Sequence, residues 1–107
     1  MQVTQPSHPE IPPKQIRVIC VDDCEEVASA WARLIGKQAD MVLAGTLARA
    51  DGLTSAVRTL RPDLVMMDVN LSGHDALATL EHTLKEVPDL RVLIYSGYSG
   101  SKLVDRC

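Results

Sequence analysis

No apolar run in this sequence approaches the roughly 20 residues that cross a bilayer, and the N-terminus has neither a basic start nor an apolar signal segment. The expectation is a soluble, cytoplasmic chain with no membrane partner. An excess of basic charge is missing too: 11 Lys+Arg stand against 14 Asp+Glu, a formal net charge of −3. A general phosphate-backbone binder needs a basic surface to release counterions, so direct nucleic-acid binding by this chain is not expected. Cysteines are few and odd in number, namely Cys20, Cys24 and Cys107. Such a set suggests reduced thiols rather than a disulfide framework. The histidines, His8, His74 and His82, are too scattered for a shared zinc-type site. With 107 residues there is length for one core and no second domain.

What is present falls into two parts. Residues 1–15 hold Pro6, Pro9, Pro12 and Pro13 among polar side chains. Proline removes backbone donors and fixes φ, so this stretch is expected to be a disordered tail. From Ile16 to Cys107 short apolar runs alternate with amphipathic segments. The runs are 16–21, 41–47, 64–67 and 91–95, each near-continuously aliphatic. Runs of this kind suit parallel strands covered on both faces. Between them, Val27, Trp31, Leu34 and Ile35 share one helical face, as do Leu53, Val57 and Leu60, and Leu77, Leu80, Leu84 and Val87. Gly36, Pro62 and Pro88 are placed to end these helices, and Asp75 to cap the third. The order β-α-β-α-β-α-β implies an α/β fold with right-handed crossovers and a doubly wound, open parallel sheet. Ligand chemistry in such a sheet belongs at the carboxyl ends of the strands.

Polar residues stand at those ends: Asp22-Asp23 after the first run, Asp68 after the third, Ser96-Gly97 after the fourth. Singly, each aspartate is as well explained as a helix cap or a solvated side chain, and Glu25 and Glu26 only as favourable first-turn charges. Jointly they define a candidate site. Two carboxylates about 4 Å apart repel by roughly 4 kcal/mol at an effective dielectric near 20, and a divalent cation relieves that strain. Hard oxygen donors completed by water suit Mg²⁺ or Mn²⁺.

The segments Val18–Asp23, Pro62–Leu77 and Val92–Gly97 resemble the receiver domain of bacterial two-component response regulators, over about Ile16 to Ser101. The resemblance implies a flavodoxin-like fold with strand order 2-1-3-4. It implies that Asp68 accepts a phosphoryl group from a histidine kinase or a phosphotransfer protein, and that a downstream output domain or target reads the change. It further implies metal binding by Asp22, Asp23, Asp68 and the backbone carbonyl of Asn70, and a hydrogen bond from Ser96 to the phosphoryl oxygen. A carboxylate is a usable nucleophile for such a transfer. Such a module turns over no external substrate; it catalyses only its own phosphorylation and dephosphorylation.

The chain departs from the family pattern in several places. Ser72 stands where Pro is usual and Ala76 where Gly is usual, which predicts a modestly altered loop after Asp68. Tyr98 stands where the family varies access to the phosphoryl group. Receivers of this kind continue into a fourth helix, a fifth strand ending in Lys and a fifth helix, whereas this sequence stops at Cys107 and Lys102 is too early to replace that Lys. The expectation is a fragment or truncated product whose 91–95 strand is an exposed edge open to self-association. Two other readings stay open. One is a non-phosphorylated receiver-like adaptor; the other, a phosphatase-like hydrolase, lacks its second acid because Asn70 occupies that position.

Overall fold

A computed structural model describes residues 14–71 and 75–96 of the chain. Tail residues 1–13, Ser72, His74, Gly97, Tyr98, Lys102 and Cys107 lie outside the described residues. Among the described residues eight elements follow one another: β1 (Ile16–Val21), α1 (Glu25–Gly36), β2 (Met41–Leu47), a short 3₁₀ turn (Ala50–Gly52), α2 (Leu53–Leu60), β3 (Leu64–Asp68), α3 (Ala76–Glu86) and β4 (Arg91–Tyr95). All strand pairs are parallel, in the order β2-β1-β3-β4. This is the doubly wound α/β sheet expected from the alternation of elements.

Successive strand residues point to opposite faces, so each strand feeds two cores. Ile19, Val21, Val65 and Met67 face α2 and α3, where Leu53, Val57, Ala76 and Leu80 close the larger core. Val18, Cys20 and Met66 face α1 and meet Ile35, with Trp31 and Tyr95 packed beside them. Each fully buried aliphatic side chain of this kind stabilises the fold by about 1.5–3 kcal/mol. That burial holds β1 and β3 at the centre and fixes their carboxyl ends side by side.

The helix ends follow local chemistry. Asp75 caps α3 as expected, its Oδ1 accepting from Ala78 N at 3.1 Å. Gly36 does not terminate α1 in a left-handed turn: it is the last helical residue, and Lys37 beyond it keeps right-handed geometry. The left-handed residue is Arg61, at φ 50°, immediately before Pro62. Proline disfavours the right-handed helical region for the residue it follows, so α2 stops there. Leu34 and Leu77, placed by periodicity on the buried faces, are about half exposed. Each lies at the margin of its helix stripe, where the contact with the sheet ends.

The pairing of β1 with β2 skips Ala44, since Val18 pairs with Leu43 and Ile19 with Gly45. A Cβ on Gly45 would come within 2.9 Å of Leu60 Cδ1, so glycine allows α2 to lie close against β2. Ala76, where the family pattern has Gly, heads α3 and is buried in the larger core. Of the cysteines, Cys20 is free and buried. Among the described residues no helix is long and apolar enough to cross a membrane.

Candidate functional site

The central strands end together. β1 runs out at Val21 and delivers Asp22 and Asp23, while β3 carries Asp68 as its last residue, one position longer than the apolar run suggests. Carboxylate oxygens of Asp22, Asp23 and Asp68 lie within 4.8 Å of one another. Asp22 and Asp68 are buried, at 3% and 6% exposure, and Asp23 faces solvent. Three carboxylates drawn from two strands therefore form one pocket with a wet side.

Each buried carboxylate is held by backbone. Asp22 N donates to Leu47 O at the end of β2, and Asp22 Oδ1 accepts from Cys24 N at 2.8 Å. The N-cap of α1 is Cys24, whose own side chain makes no cap bond. Asp22 folds the three-residue link between strand and helix. Asp68 Oδ1 accepts from Asn70 N at 2.9 Å, a similar short turn after β3.

β4 reaches the pocket from the far side of β3. Its last residue, Tyr95, pairs in register with Asp68, and the Tyr95 hydroxyl donates to Asp22 Oδ2 at 2.5 Å. Tyr95 O accepts from Val69 N, and Trp31 of α1 leans on the Tyr95 ring at 5.5 Å between centroids. Next to it, Ser96 Oγ accepts from Asn70 Nδ2 at 3.1 Å. The structure thus brings together all five residues singled out from sequence: Asp22, Asp23 and Asp68 as a carboxylate cluster, Asn70 and Ser96 as a bonded pair on the β3–β4 side. Tyr95 was not foreseen. The only signal was a hydroxyl-bearing aromatic ending an aliphatic run immediately before Ser96.

Burial raises the Asp22 carboxyl above its ordinary range, and the nearby Asp68 and Asp23 charges add to this, against the lowering effect of the Tyr95 and Cys24 hydrogen bonds. Burial first, then its bond to the Asp22 carboxylate, raises the Tyr95 phenol, which therefore stays protonated as a donor. The Cys20 thiol, beneath Asp22, is pushed up to about 11 by burial and by that negative charge, so it is a packing group and not a nucleophile. Crowded, partly buried carboxylates with one wet side are a donor set that fits a hard divalent cation.

The family model of the response regulator receiver domain matches residues 18–107. The Staphylococcus aureus response regulator protein VraR is 28% identical over 91 residues, covering 85% of this chain and 44% of that protein. The chain thus spans less than half the length of the curated relatives it matches. A two-component response regulator of the LuxR family from Aurantimonas sp. SI85-9A1 superposes with a TM-score of 0.72 at 26% identity, over 87% of this chain and 66% of that one. The response regulator domain of Thermotoga maritima CheB, at 24% identity, shares the fold with a TM-score of 0.72 over 87% of this chain and 70% of that one.

Proposed function

We propose, from the premise that this chain belongs to the response regulator receiver family, that residues 16–107 act as a phosphoacceptor switch in two-component signalling. The observation that carries this reading is the convergence of Asp22, Asp23 and Asp68 within 4.8 Å at the carboxyl ends of β1 and β3. In the proposed reaction an Asp68 carboxylate oxygen attacks the phosphorus of a phosphohistidine on a sensor kinase or phosphotransfer protein. The P–N bond breaks, the imidazole leaves, and an acyl phosphate forms on Asp68. The Asn70 N–H, already on Asp68 Oδ1, orients that carboxylate.

Asp22, Asp23, Asp68 and the backbone carbonyl of Asn70 would hold Mg²⁺ or Mn²⁺. When bound, the cation offsets the negative charge of the phosphoryl oxygens and the carboxylates. Ser96, now tied to Asn70 Nδ2, would turn its hydroxyl to a phosphoryl oxygen. Moving that hydroxyl displaces the end of β4, and this is the change an output domain would read. Regulation of transcription and a cytoplasmic location are part of the same proposal. So is self-association along β4, where Leu93 and Ile94 are about half exposed.

Incubation with acetyl phosphate and Mg²⁺ tests this. Intact mass is expected to show one added phosphate, mapped to Asp68, and no gain in Asp68→Ala. Equal labelling of the variant overturns the assignment, and no labelling of the wild-type chain favours the non-phosphorylated adaptor.

A further inference from the structure

β4 lies beside β3 and two strands from the end of β1, yet its last side chain crosses β3 to reach Asp22. Both Asp22 carboxylate oxygens then have a protein donor, Cys24 N on Oδ1 and the Tyr95 hydroxyl on Oδ2. A carboxylate held at both oxygens cannot swing about its terminal torsion, which is otherwise broad and nearly two-fold. Tyr95 is itself held on three sides: its carbonyl by Val69 N, its ring by Trp31, and its strand by the register with β3. An oxygen ligand kept in one orientation by a bonded neighbour loses less freedom when a cation arrives. Each carboxylate oxygen has a second lone pair, so the tyrosine bond leaves Asp22 able to interact with a cation or its waters.

We propose that Tyr95 is a positioning residue for cation binding in the acidic pocket, acting through Asp22. The inference rests on the reading of that pocket as a Mg²⁺ site. It gives the edge strand a second role there, separate from the Ser96 hydroxyl: Tyr95 sets how tightly the resting pocket takes up its cation.

Calorimetric titration with Mg²⁺ on the full chain tests it. Tyr95→Phe keeps the ring against Trp31 and removes only the hydroxyl; its Mg²⁺ dissociation constant is expected to rise about 10-fold, the low end for loss of a group that orients a ligand. At saturating Mg²⁺ its labelling by acetyl phosphate returns to the wild-type extent. Trp31→Phe keeps a ring beside Tyr95 and removes the indole bond to its hydroxyl, but leaves that hydroxyl in place to donate to Asp22, and is expected to change the constant by no more than about twofold. An unchanged constant in Tyr95→Phe, or equal weakening in both variants, overturns the role of the hydroxyl while leaving the metal site standing. Absence of Mg²⁺ binding by the wild-type chain overturns the metal site and this role together.

Discussion

Strands β3 and β4 are hydrogen-bonded neighbours of equal length, LVMMD and RVLIY, with similar apolar content. Their fates differ: four of five β3 residues are buried, and none of β4 is. β3 lies between two strands, with α2 and α3 on one face and α1 on the other. β4 is the edge among the described strands, and its Leu93 and Ile94 remain about half exposed. Burial is thus a property of place in the sheet, since equal hydrophobicity gives unequal stabilisation. The division also separates roles at the site: the buried strand carries the nucleophile candidate Asp68, and the edge strand carries the hydroxyls, Tyr95 and Ser96, that bond across to the pocket.

The strongest way to break this comparison is to truncate matching positions. Met67→Ala on β3 leaves a cavity in the larger core and is expected to cost about 2–5 kcal/mol in urea unfolding. Ile94→Ala, at the β4 position that pairs with Met67, should cost only about 0.5 kcal/mol. Similar losses at the two sites would show that β4 is as well buried as β3 in solution.

Gly45→Ala probes the neighbouring packing, because the new methyl meets the flexible end of Leu60. Partial relief by that side chain sets the expected cost at about 1 kcal/mol, read as a lower urea midpoint. A neutral result would mean that α2 sits further from β2.

Asp22→Asn sharpens the contrast at the carboxyl ends, where β4 clasps β1. Without a cation it removes one of three crowded charges, while an amide still accepts from Cys24 N and bonds to Tyr95. The melting temperature at neutral pH is expected to rise by a few degrees, equivalent to about 1 kcal/mol at this size. Added Mg²⁺ should stabilise wild type more than the variant.

The smallest effect is expected at the amino ends, where Asp63 joins three strands. Its Oδ2 accepts from Arg17 N at 2.9 Å, its carbonyl accepts from Arg91 N, and Lys14 lies 3.3 Å from Oδ1. The Arg17 backbone bond, with smaller help from Lys14, holds the carboxyl below its ordinary value. A depressed folded-state pKa contributes stability that is present above the unfolded value of 3.8 and lost as pH falls through the folded value. Asp63→Asn should flatten the acid side of the stability curve measured between neutral pH and about pH 3. An unchanged acid limb would remove Asp63 from the join.

Much of this was legible in sequence because it depends on local pattern. Aliphatic runs marked 16–21, 41–47 and 91–95 with the observed bounds, Asp75 announced its cap by type and position, and the order of elements implied the parallel sheet. The carboxylate pocket was legible for the same reason, since parallel strands put Asp22, Asp23, Asp68 and Ser96 on one edge whatever their packing. The 3₁₀ turn at Ala50–Gly52 was missed because no apolar period marks so short a segment. The exposure of Leu34 and Leu77 was missed because periodicity gives a direction, not the width of the surface that meets it.

By itself, then, the chain's residue pattern determined which segments are strands and helices and which polar groups share the sheet's carboxyl edge. Hydrogen-bond periodicity and the two-faced strand enforce both within a few residues. Only the tertiary structure decided which apolar strand is buried and that Tyr95, 73 residues from Asp22 along the chain, bonds to it across β3. Those outcomes depend on neighbours far away in sequence, because burial and side-chain reach are set by where packed elements come to lie.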